Sequence, residues 1–202
     1  MADKNLVTAA KPKVGGAIWI APVGTTIPTD AVTALAEDYI SLGYCSEDGL
    51  TNNGEISTET IKAWGGDTVL NPQTDKTDEF GFTLIEGLNV DVLKFVHNES
   101  NVTGTLDEGI AITVNSKEHE PSVIVVEMIM NGGVLKRIVI PSAVVTAVDE
   151  LTYGDSEAVG YAVTVAAQPD TSGNTHYEYI VKSTAVSTAA TTMTQSDTSN
   201  NS

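Results

Sequence analysis

Three histidines, one cysteine, two tryptophans and three glycine pairs are the places where chemistry could sit in this chain. His97, His119 and His176 stand far apart in sequence, and none keeps a His/Cys spacing that suits zinc. His119 lies in KEHEP, Lys117 to Pro121, where two glutamates beside an imidazole could make a weak metal site; a solvated turn is the simpler reading. Gly15-Gly16, Gly65-Gly66 and Gly132-Gly133 lack a P-loop lysine and the dinucleotide-binding spacing, so they predict no phosphate cradle. No serine or cysteine occupies a nucleophile elbow. Cys45 ends an apolar run and reads as a small buried hydrophobe. Trp19 and Trp64 could stack on a sugar or a base, but in strands they are expected to pack. Asp48, Asp67 and Asp75 are of calcium-ligand type without EF-hand spacing, and no carboxylate pair for hydrolysis stands out among 27 acids. These residues predict no catalysis, no cofactor and no metal.

The elements that carry them are mostly strands. Phe80, Phe82 and Leu84 alternate with Gly81, Thr83 and Ile85, the period of a sheet. The period then changes: Val92, Leu93, Phe95 and Val96 share one face of a helix. Asn89 is its N-cap, Leu88 and Leu93 stand at the positions of a hydrophobic staple, and Asn98 is the left-handed stop. This is the one convincing helix, and a β protein must lay it over an end or face of its sheets. Further strands are expected over Val14 to Val23, Tyr39 to Tyr44, Glu55 to Trp64 and Ile110 to Asn115. Ala31 to Asp38 is expected to make one helical turn. Ser122 to Met130, SVIVVEMIM, is apolar on both faces and so buried on both. Asn131-Gly132-Gly133 turns it back into Val134 to Ile140, with Pro141 ending that strand. Ala143 to Tyr153, Val159 to Val165 and Tyr177 to Val181 complete the series.

Composition bounds the rest. Ten basic residues stand against 27 acidic ones, a formal net charge of −17, which disfavours binding to nucleic-acid phosphates. One cysteine excludes an intrachain disulfide. Met1 to Gly16 holds no apolar core of signal-peptide length and no run approaches a membrane span, which points to a chain folded in a cytosol with no membrane partner. The expected organisation is an N-terminal arm over 1–14, a β-domain over 15–183 and a flexible Ser/Thr-rich tail over 184–202. The arm is locally basic, with Lys4, Lys11 and Lys13 against Asp3. Within the domain, 46–79 reads as a long polar, half-structured excursion, with eight acids against Lys62 and Lys76. Such an excursion is uncommon in a compact domain and usually functional.

Five segments carry a resemblance: GGAIWIAPVGTTIPTDA (Gly15 to Ala31), LGYCSEDGL (Leu42 to Leu50), IKAWGGDTV (Ile61 to Val69), LIEGLNVDVLKFVHNESNVT (Leu84 to Thr103) and IPSAVVTAVDEL (Ile140 to Leu151). Their order and spacing resemble the major tail proteins, or tail tube proteins, of siphophage-type bacteriophages. The resemblance implies two packed antiparallel sheets, sandwich- or barrel-like, with one flanking helix and extended arms. It implies a virion protein, assembled in the host cytoplasm, whose hexameric rings stack into a tube. DNA crosses the lumen during ejection without specific binding, and no catalysis is involved. Partners would be further copies of the chain and the tape-measure, tail terminator and tail-tip proteins.

On that resemblance the excursion 46–79 is the inter-ring loop, with Ile56, Ile61, Lys62, Trp64 and Asp67 as its contact residues, met in part by Lys4, Lys11 and Lys13 of the arm. Val123, Val125, Met128 and Met130 are the expected intersubunit strand residues, one face of SVIVVEMIM meeting the core and the other a neighbour. Acids are expected to line the lumen, though the sequence does not say which. A contractile-tail or type VI-like tube protein, and more distantly a β-sandwich adhesion or carbohydrate-binding module, are the alternatives.

Overall fold

The computed structural model describes residues 2–13 and 16–182. The proposed tail over 184–202 and the arm boundary at residue 14 lie outside them. The strands in chain order are β1 (Ala10–Pro12), β2 (Ile18–Pro22), β3 (Ile40–Ser41), β4 (Cys45–Thr58), β5 (Ile61–Lys62), β6 (Thr68–Leu70), β7 (Gln73–Leu84), β8 (Val102–Thr105), β9 (Gly109–Ile112), β10 (Ser122–Met130), β11 (Val134–Val148), β12 (Tyr161–Ala167) and β13 (Tyr177–Lys182); the one α-helix among the described residues, α1 (Val90–His97), lies between β7 and β8. The fold is mainly β and antiparallel, as expected, and its sheets are not closed into a barrel.

The long strand β11 organises them. Its first half pairs with β10 on one side and β13 on the other, and beyond Ala143 it pairs with β12, which leads on to β7 and β4. Pro141 does not end it. The β13 ladder stops at Val139, the β12 ladder starts at Ala143, and β11 carries one extra residue between Ile140 and Ala143 where it passes Ile124 to Ser122 of β10, so the missing N–H of proline falls where no ladder needs it. Both halves send side chains into one core: Ile18, Ile124, Val126, Ile138 and Ile140 from one, Phe80, Phe82, Leu84, Val163 and Val165 from the other. The turn between β10 and β11 holds Gly132 and Gly133 both at φ 73°, a left-handed backbone that glycine adopts without a Cβ penalty.

Helix α1 closes this core with Val92, Leu93, Phe95 and Val96. Asn89 Oδ1 accepts the Asp91 N–H at 3.0 Å, as the sequence predicts for its cap, and Asn98 leaves the helix at φ 74°. The staple is not made, because Leu88 is exposed while Leu93 is buried.

A second, smaller core lies on the other face of β10, formed by Val123, Val125, Val139, Ala21 and Tyr39 with Ile27 and Leu35 packed against it. Its cover is the chain's own connection between β2 and β3. That connection forms no helical turn over Ala31 to Asp38: Asp30 Oδ1 accepts the amides of Val32 and Thr33, both at 2.6 Å, capping a turn that does not continue. Arg137, fully buried, holds it down. Its guanidinium donates to the carbonyls of Asp30 and Thr33, both at 2.7 Å, and to Glu127 Oε1 at 2.5 Å.

Candidate assembly surface

The segment 46–79 is an ordered antiparallel ribbon, not a half-structured loop. The outer part of β4 pairs with β7 from Leu50↔Phe82 to Thr58↔Gln73, and the short β5–β6 ladder continues it, with Ile61 opposite Leu70. Glu55 to Trp64 is therefore not one strand: β4 ends at Thr58 and β5 holds only Ile61 and Lys62. Glycines and asparagines scattered through this sequence read as breaks, yet the two strands pair each other's backbone groups and need no core to do so.

Between Thr51 and Thr77 every side chain but Pro72 is exposed. Ile56, Val69 and Leu70 are among them, and Ile61 is 47% and Trp64 106% exposed. Lys62 and Asp67 flank Trp64 at the tip, where the Ala63 amide donates to the Asp67 carbonyl at 2.7 Å. The sequence-predicted loop residues thus lie together on the distal ribbon. An isolated two-stranded ribbon is marginal in water, and large apolar side chains on it bury nothing in this chain.

The base of the ribbon is fastened by a buried carboxylate that sequence reasoning missed. Asp78 lies one residue beyond the last β7–β12 pair, Glu79↔Ala166, where the ribbon leaves the body. Its Oδ1 accepts from Asn52 Nδ2 at 2.8 Å, and its Oδ2 accepts from Thr175 Oγ1 at 2.6 Å and lies 2.5 Å from His176 Nδ1. The His176 ring also meets Phe80 edge-on, centroids 5.2 Å apart. Burial raises the Asp78 carboxyl, but the hydrogen bonds from Thr175, Asn52 and His176, with the charge of His176, outweigh it and hold the group below the usual carboxylate range. Nothing in the sequence joins positions 52, 78 and 176. The available signal was parity: Asp78 shares the face of Phe80, Phe82 and Leu84, so a charge there had to be partnered.

The arm is not free either. Ala10–Pro12 adds a strand to β10, from Ala10↔Met130 to Pro12↔Met128, and Lys13 Nζ reaches Glu127 at 3.0 Å. Lys4 sits in a short exposed 3₁₀ turn and Lys11 is exposed.

The expected intersubunit strand has both of its edges paired within the chain. β10 pairs on one side with β11 and on the other with β1 and β2, so neither edge is open. Val123 and Val125 are buried in the second core, while Met128 and Met130 are half-buried. The double-sided apolar pattern predicted burial on both faces correctly. The second face meets the chain's own β2–β3 connection, which the pattern cannot tell from a neighbour.

Open edges lie elsewhere. The rows Leu50–Phe82–Val163–Val148, Thr51–Gly81–Thr164–Ala147 and Asn53–Glu79–Ala166–Val144 run across β4, β7, β12 and β11. Among the described residues no strand pairs with β4 on its far side, nor with β11 beyond Ala143 on its far side.

The residues considered for chemistry make no common centre. Cys45 is half-buried, and burial, with Glu86 nearby, pushes its thiol up to about 11. Burial holds His97 and His119 below the usual imidazole range, the charge of His97 adding to the effect on His119. No group of three or more potential metal ligands occurs among the described residues. Trp19 packs on the second core, and its Nε1 finds no partner among the described residues.

No curated protein matches this chain. Among solved structures it is similar to a chain of the anti-feeding prophage cap, described as the tube terminating cap. The identity is 12%, with 85% of this chain and 93% of that one covered and a TM-score of 0.41, too distant a likeness to carry an argument. A family model described as "Phage tail tube protein" matches residues 1–192, nearly the whole length, and the chain belongs to that family.

Proposed function

We propose that this chain polymerises as stacked rings, hexameric on the resemblance to siphophage tail proteins, into the tube through which phage DNA is ejected. It is a structural component of the virion tail with no catalytic role. The observation that carries this reading is the ribbon. It projects from a body whose cores are already closed and displays Ile56, Ile61, Trp64, Val69 and Leu70 to solvent. A protein has no use for such a feature alone; between rings it supplies an apolar anchor, with its charges setting register.

Lateral contacts within a ring fall to the open edges of β4 and β11. They end the same rows of one four-stranded sheet, and alternation of direction makes β11 of one copy antiparallel to β4 of the next. Joining them leaves no edge exposed. The side of this sheet turned away from the core carries Thr51, Gly81, Ala162, Thr164 and Ala166, with Glu79 on the outermost of these rows.

Replacing Ile61 and Trp64 together by serine tests the reading. The variant folds and makes rings but not long tubes in electron micrographs of concentrated protein. Tubes indistinguishable from the parent's would show that the ribbon is not the stacking element. Assembly in the host cytoplasm, and contacts with tape-measure, terminator and tail-tip proteins, follow from the same reading.

A further inference from the structure

A groove of about 610 Å³ lies between the N-terminal arm and the start of β4. Pro12, Ile18, Leu50, Val126 and Met128 give it an apolar floor. Lys11 and Lys13 stand on its arm side and Glu47 and Asp48 on its β4 side, where the six residues Cys45 to Leu50 stand opposite only three on β7, Leu84 to Phe82. Gly49, at φ 74°, lets that bulge turn outward. Lys13 is already committed to Glu127, and among the described residues Lys11 has no ion-pair partner.

We propose that this groove receives the ribbon tip of a second copy, with Trp64 as the anchor. Three observations converge. The tip needs a cover, since Trp64 has no contact that shields it. Its charges match the groove in sense: Asp67 and Lys62 flank the indole, and the groove has a basic wall and an acidic one. The placement is head-to-tail, because the groove lies at the Cys45 end of β4 and the ribbon leaves from the Thr58 end. A contact between opposite ends of one molecule is heterologous and propagates instead of closing into a dimer, as a growing tube requires. The proposal rests on the reading of the ribbon as the stacking element and adds its receptor.

The test uses the full chain with Cys45→Ser, Lys11→Cys and Asp67→Cys, assembled under reducing conditions and then oxidised. Within one chain the two new thiols are on the order of 45 Å apart, at about 3.3 Å per residue along the ribbon, so a bond between them must join copies. The expected result is a ladder of covalent oligomers beyond the dimer, absent when either new cysteine is present alone. Tubes that form but yield no such ladder overturn the groove while leaving the ribbon reading intact. Should this variant not assemble, charge exchange decides: Lys11→Glu or Asp67→Lys alone raises the concentration needed for tubes about threefold or more, and the double exchange restores it. No restoration overturns the proposal. A parent that stays monomeric at every concentration overturns the ribbon reading and the groove together.

Discussion

At the scale of residues, two buried charged groups, Asp78 and Arg137, fasten the segments that leave the body of the fold. Asp78 is the one on which the ribbon depends. Because its folded carboxyl titrates below its unfolded value, its contribution is fully present above the usual carboxylate value of about 3.9. That contribution is lost as pH falls through the lower folded value. Asp78→Asn should therefore cost about 1–2 kcal/mol at pH 7, the scale of lost charge-assisted hydrogen bonds. Thermal denaturation from pH 7 to pH 3 should show the gap from the parent closing below about pH 4. A gap unchanged at pH 3 would mean that the carboxylate's charge is not what fastens the ribbon. Arg137 does the same for the β2–β3 connection. Arg137→Leu leaves two carbonyls and Glu127 short of their donor and should cost about 3 kcal/mol in urea denaturation. Lys13→Ala, at a partly exposed contact with the same glutamate, should cost about 1 kcal/mol or less. Cys45, with its thiol raised to about 11, should react with a thiol reagent at pH 8 about a hundredfold more slowly than in the unfolded chain. Equal rates would mean that the β4 bulge opens freely.

At the scale of elements, the ribbon and the double-sided strand β10 exchange the roles that pattern alone would give them. A polar, glycine-punctuated segment forms the longest projecting element, because its two strands satisfy each other's backbone. A strand of nearly continuous apolar residues, expected at a subunit contact, has both edges paired and its Val123 to Glu127 stretch buried within the chain. The element-scale prediction is about which edges join copies. A proline at Val148 in β11 removes an N–H that points away from β12, to an edge that no strand among the described residues completes. Since Val148 also stands opposite Val163 of β12, the informative quantity is the ratio of effects. Ring formation, read by light scattering, should fall by tenfold or more, with folded content by circular dichroism largely kept. A variant that folds and forms rings like the parent would exclude this edge.

At the scale of the whole molecule, charge is the decisive quantity. Each chain carries a formal −17, so a ring of six would carry about 100 negative charges, and a lumen walled by such subunits repels a polyanion. Assembled tubes should therefore not retain double-stranded DNA at physiological salt in a filter-binding assay. Tight, salt-sensitive retention would reveal a basic lumen and contradict this reading. The face of the four-stranded sheet turned from the core is mostly small and uncharged, so the repulsion would come from the whole subunit's field more than from a dense lining of acids.

Some of this was legible in the sequence because it is local. The helix over Val90–His97 with its Asn89 cap, the glycine turn at Gly132-Gly133 and the alternation of β7 and β12 follow from periods and turn chemistry within a few residues. So does the burial of β10 on both faces, since a strand of that composition has no side that water would welcome. Net charge is likewise a property of the string. What covers the second face of β10, where β11 changes partners across Pro141, and which edges stay open are decided by ladders between residues far apart in the chain. The same holds for Asp78, whose three partners come from positions 52, 175 and 176, and for the groove, whose walls come from positions 11 and 47. A sequence states the period of each strand and the charge of each residue; only the tertiary structure assigns the neighbour that satisfies them.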